Sequence, residues 1–80
     1  GQETVAMNCM SFFAHQGMVF IPLGYTDPQA FSYDEIHGAS PWGSGTYAGP
    51  DGSRQPTSME LSIAENHGKH FANLTTKLSA

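Results

Sequence analysis

Cys9, His15, His67, His70 and Arg54 are the side chains of this 80-residue chain best suited to chemistry. Their spacing restricts what they can do. Cys9 and His15 lie six positions apart, which on a helix is a rotation of about 600° and sets them on different sides. A thiol–imidazole pair is therefore disfavoured, and Cys9 reads as a small buried hydrophobe. His67 and His70 stand three apart, within reach of one metal, but no third ligand converges on them, so they read as a solvated polar face. Gly43-Ser44-Gly45 and Gly49-Pro50-Asp51-Gly52 lack the strand–glycine–helix setting that aims backbone amides at a phosphate. Arg54 is the single cation of its loop, open to a phosphate, a carboxylate or a salt bridge. Trp42 and Tyr47 could line a flat aromatic ligand, though packing or interface roles are favoured for both. Asn73-Leu74-Thr75 is a glycosylation sequon, but it falls inside a helical pattern and reads as chance. No catalytic constellation and no metal site is complete.

The elements that must carry these residues are legible. Val5, Ala6, Met7, Cys9, Met10, Phe13 and Ala14 recur at three- and four-residue steps and predict a helix over 4–16, with Gly17 ending it. Met18 to Leu23 follows, apolar at every position. A run without alternation suits a strand covered on both faces, as in a parallel sheet, with Pro22 near its end. From Gly24 to Pro56 the periodicity disappears. Loops longer than about 15 residues are uncommon unless functional or disordered. Phe31, Tyr33, Trp42 and Tyr47 argue for order, because disordered linkers are poor in aromatics. Thr57-Ser58-Met59-Glu60 matches a capping box and opens a last helix. Its apolar stripe is Leu61, Ala64, Gly68, Phe71, Leu74 or Thr75, and Leu78, with Gly68 expected to approach a sheet closely.

The order is helix, strand, long loop, helix, and one strand has no partner. Each buried backbone group left without a partner costs about 1–3 kcal/mol. The neighbouring strands must then come from polypeptide before Gly1 or from another chain. The bulk properties agree. The net charge is −4 and the strong cations are only Arg54, Lys69 and Lys77, which disfavours nucleic acid and anionic membrane surfaces as partners. Charged residues are 12% of the chain, against about 25% in ordinary soluble domains, so part of its surface is expected to be covered. One cysteine excludes an internal disulfide and fits a reducing compartment. The start lacks an initiator methionine and a signal-peptide layout, and no apolar run approaches the ~20 residues of a membrane span. The chain reads as a piece of a longer soluble protein.

Three stretches carry a resemblance: Ala14-His15-Gln16-Gly17-Met18-Val19; Ser40-Pro41-Trp42-Gly43 with Ala48-Gly49-Pro50-Asp51-Gly52-Ser53-Arg54-Gln55-Pro56; and Glu60-Leu61-Ser62-Ile63-Ala64. Together they closely resemble the C-terminal portion of the WrbA-type flavoproteins, and the residues around Pro41-Trp42-Gly43 look like the fungal branch. The resemblance spans essentially all 80 residues. It implies the C-terminal part of a flavodoxin-like, doubly wound parallel α/β sheet: residues 1–80 as part of one domain whose N-terminal half is absent. It further implies FMN as cofactor, NAD(P)H as co-substrate, two-electron reduction of quinones, a homotetramer and a cytoplasmic location. The residues matching the family's flavin contacts are His15 and, at the trailing end of another flavin loop, Gly1. Doubly wound sheets bind ligands at the carboxyl ends of their strands. His15, on a helix leading into a strand, is thus expected to reach a neighbouring subunit's flavin. Tyr25, past the strand's carboxyl end, is the expected wall of the substrate pocket. The phosphate loop would lie before Gly1, so the 80 residues alone are expected to be inactive. The alternative is a non-catalytic fragment giving only packing or interaction surface.

Overall fold

The computed structural model describes residues 1–79, in the order α1 (Glu3–His15), a short 3-10 helix (Pro28–Phe31) and α2 (Ser58–Leu78). Helix α1 ends as its sequence requires. Gly17 takes φ +75°, the Gly17 N–H donates to Ala14 O, and the Met18 N–H donates to Phe13 O at 3.1 Å. That pair of bonds is a complete Schellman motif, and a glycine carries its left-handed residue without strain. Helix α2 begins with the expected capping box. The Glu60 N–H donates to Thr57 Oγ1 at 3.2 Å, and the Thr57 N–H donates to Glu60 Oε1 at 2.9 Å.

Between the helices the chain forms no strand among the described residues. An isolated antiparallel bridge joins Ser40 and Gly43. The apolar segment 18–23 lacks regular secondary structure. No described group accepts or donates a hydrogen bond at the backbone of Val19, Phe20 or Ile21. Met18 and Val19 are 61% and 79% exposed. Three consecutive apolar residues thus have no described backbone partner, and the segment lacks the cover on both faces that its composition suits.

The stripe expected on α2 differs from the side that is covered. Leu61, Ala64, Gly68 and Phe71 are exposed, and the buried positions are Glu60 and Ile63. A Cβ at Gly68 would meet nothing within 4 Å, so the close approach expected there is absent among the described residues. Ala64, Gly68 and Phe71 line a hollow with Ile21, and Phe71 continues into a larger apolar trough of about 570 Å³ with Phe13, Met18 and Phe20. Both helices therefore present apolar side chains beside segment 18–23. The only fully buried apolar side chains described are Leu23 and Ile63. The radius of gyration, 13.9 Å, exceeds the ~12 Å of a compact chain this long.

Polar bonds tie the long loop to the helices. The Gln2 side chain, beside the start of α1, donates to Thr46 O at 2.7 Å and accepts from the Ala39 N–H at 3.0 Å. Gly38 packs against the Gly45–Thr46 backbone so closely that a Cβ there would overlap it. Gly38→Ala is accordingly expected to destabilise the protein by about 1–3 kcal/mol, read as a lowered urea midpoint, because backbone cannot swing aside as a side chain would. An unchanged midpoint would show that the loop does not close at this point.

Candidate functional site

Two buried carboxylates organise the loop, and they decide where the expected site residues stand. Glu60 is 3% exposed. Its Oε2 accepts from the Gly38 N–H at 2.6 Å, and its Oε1 accepts from the Thr46 hydroxyl at 2.8 Å and from the Thr57 N–H. Arg54 closes the set, with guanidinium nitrogens 3.2 and 3.3 Å from the two carboxylate oxygens. Burial by itself would raise this carboxyl, but the Gly38 and Thr57 amides, the Thr46 hydroxyl and Arg54 hold it down at about 2.

Arg54 also donates to Tyr47 O at 2.7 Å and to Ile36 O at 3.1 Å. Of the partners its sequence left open, it takes a carboxylate inside the chain. Its fork is occupied, so a phosphate would have to displace Glu60. The residue is a clamp on the loop and carries no free charge for a ligand.

Asp27, 2% exposed, does similar work nearer the start of the loop. It caps the 3-10 helix by accepting from the Gln29 N–H at 2.9 Å, and it accepts from Asn66 Nδ2 of α2 at 2.7 Å. The Asn66 bond first, then the Gln29 amide, outweigh desolvation and keep its carboxyl below the ordinary range. The Gln29 side chain reaches Ser62 Oγ at 3.0 Å, a second tie to α2. Asp27-Pro28 is the cap-then-proline signature of a helix start, and it could have disclosed this turn from sequence.

Tyr25 stands just after the apolar segment and is 75% exposed. Its ring leans on Phe31 with centroids 5.1 Å apart at an interplanar angle of 40°. Phe31, which from sequence counted only as one of the loop's aromatics, is itself 45% exposed. His15 is exposed at the end of α1, and none of the described hydrogen bonds engages its ring. Gly1 precedes the other end of that 13-residue helix, so the two are separated by about 20 Å of helix axis. They cannot both touch one flavin ring. Among the described residues no cradle for a flavin is complete: the open positions are at the two ends of α1 and at Tyr25.

The remaining candidates resolve into structural roles. Trp42 packs on Phe20 with ring centroids 5.7 Å apart. His67 pairs through Nδ1 with Ser44 Oγ at 2.8 Å, tying loop to helix. No group of three or more His, Cys, Asp or Glu able to hold a metal occurs among the described residues. Cys9 is half-buried along the apolar trough. No described helix is long and apolar enough to cross a membrane.

Comparison with known proteins gives the chain its relatives. It is 52% identical over 80 residues to NAD(P)H quinone oxidoreductase YCP4 of Candida albicans, covering 98% of this chain and 28% of that protein. It is 51% identical to NAD(P)H quinone oxidoreductase PST3 of the same organism, covering 96% of this chain and 40% of that protein. It is 44% identical to Quinone-oxidoreductase QR2 of the plant Triphysaria versicolor, covering 98% of this chain and 38% of that protein. No family model matches. The chain thus spans between a quarter and two-fifths of the length of these relatives. Over nearly its whole length it is homologous to a part of the NAD(P)H quinone oxidoreductases.

Proposed function

From that homology we propose that this chain is the C-terminal part of an FMN-dependent NAD(P)H:quinone oxidoreductase with a flavodoxin-like sheet. The observation that carries the reading is 44–52% identity, over almost all of these residues, to proteins named as quinone oxidoreductases. The backbone of Val19, Phe20 and Ile21, without a described partner, supports the sheet: the segment has the composition of an inner strand. When bound, the flavin supplies a two-electron hydride acceptor and donor, while protein side chains fix position and polarity.

The residues here form a rim to that chemistry. Gly1 ends a loop beside the flavin of its own domain. His15, about 20 Å away along α1, serves the flavin of a neighbouring subunit in a homotetramer, which accounts for an exposed imidazole at the far end of the helix. Tyr25 walls the quinone site. The low surface charge and the exposed aromatics of the loop suit burial between subunits, and the lone thiol suits the cytoplasm.

The test is made on the longer protein containing this segment. The purified material is expected to absorb at about 450 nm and to oxidise NAD(P)H when a quinone is added. His15→Ala is expected to weaken flavin retention together with loss of the tetramer. Colourless protein without quinone turnover would contradict the reading and favour a chain that gives only interaction surface. Undiminished flavin in an intact His15→Ala tetramer would remove His15 from the site.

A further inference from the structure

Tyr25 and Phe31 are two large aromatic side chains left open to solvent on one of the most firmly held parts of the molecule. Exposed aromatics on loose loops are unremarkable, but here the chain on either side of Tyr25 and through the turn to Phe31 is hydrogen-bonded. The Gly24 N–H donates to Pro41 O at 2.6 Å, and the Thr26 hydroxyl donates to Leu23 O at 2.8 Å. Leu23 itself is fully buried. Asp27 caps the 3-10 turn that ends at Phe31, and Asn66 anchors that cap to α2 at 2.7 Å. Asp27 is a buried carboxylate with no catalytic duty in sight. Its bonds run to the backbone of the turn and to α2, so its effect is to fix where Phe31 stands. Phe31, at 5.1 Å between centroids, then limits the attitudes open to the Tyr25 ring.

Resting on the proposed quinone site, we infer that Phe31, with Asp27 and Asn66 beneath it, forms a positioning device that holds Tyr25 as a preset wall for a flat quinone ring. Phe31 acts through Tyr25. Preorganisation lowers the entropy lost when a ligand stacks on an otherwise free ring, so its effect falls on binding. The hydride chemistry belongs to the flavin, so turnover at saturation depends little on the device. This distinguishes positioning from a general loss of structure, which would lower the amount of active protein and so reduce kcat.

The experiment uses the longer flavoprotein with menadione as acceptor. Phe31→Leu keeps the volume and removes the ring; it is expected to raise the KM for menadione about five- to tenfold, with kcat within about twofold, the scale of one aromatic pair. The Kd for menadione, titrated against the oxidised protein through its flavin spectrum, is expected to rise in step. Phe31→Tyr is expected to restore both. Asn66→Ala leaves the rings in place and loosens the mount, and a rise in KM in the same direction is expected. Unchanged KM and Kd in Phe31→Leu, or a fall in kcat at constant KM, would overturn the inference while leaving the quinone reductase reading intact. A wild-type protein without flavin or quinone turnover would overturn that reading first.

Discussion

Ile21→Asp is expected to abolish soluble, folded protein when introduced into the longer chain, whereas Ile21→Val at the same position costs only about 0.5–1.5 kcal/mol. The contrast follows from placing Ile21 inside a sheet covered on both faces. Val removes one methylene. Asp puts an ionised carboxylate where neither water nor a cation can reach it, a cost that exceeds the whole stability of many domains. Ile21 faces Ala64, Gly68 and Phe71 of α2 across a hollow, with the trough beside α1 at its other flank. Soluble expression and urea midpoints of the two variants supply the measurement. An Ile21→Asp protein within about 1 kcal/mol of wild type would mean that the segment lies at the surface.

Glu60→Gln, at the start of α2, should have a large effect on the loop it holds, about 3–5 kcal/mol. The carboxylate accepts from Gly38, Thr46, Thr57 and Arg54. An amide in its place presents two donors to a ring of donors and leaves the Arg54 charge without its partner, so the loop, the cap and the start of α2 lose their common acceptor. The pH dependence carries a definite sign. The Glu60 carboxyl titrates at about 2 when folded, below its ordinary 4.5. Between those values the unfolded chain binds a proton that the folded chain refuses. The stabilisation is therefore complete above about pH 5 and is lost as the pH falls towards 2. Asp27, Asp51 and Glu3, all lowered, act in the same direction. Glu60→Gln should flatten part of this acid slope. A slope equal to that of wild type would show that the carboxylate is not engaged when the protein is folded.

Local features were read correctly from sequence because short-range physics sets them. The end of α1 at Gly17 and the Thr57–Glu60 capping box each need only residues within one turn, and both form as expected. What the sequence did not disclose is the loop's wiring. Glu60 was legible as a cap, but its bonds to Gly38 and Thr46 span 22 and 14 positions. No local pattern announces such distances. Phe31 was legible as a loop aromatic but not as the neighbour of Tyr25, since that place depends on Asp27 and Asn66. The stripe on α2 was identified by period, yet Leu61 and Phe71 stay exposed because burial needs a second surface, and that surface is not among these residues. The sheet remains our proposal on the same ground.

Backbone hydrogen exchange at Val19, Phe20 and Ile21, compared between the longer protein and the 80-residue segment, tests the central claim most directly. In the longer protein these amides should be among the slowest to exchange, as expected of an inner strand, and in the segment alone they should exchange at nearly free rates. Fast exchange in the longer protein, or full protection in the isolated segment, would contradict it.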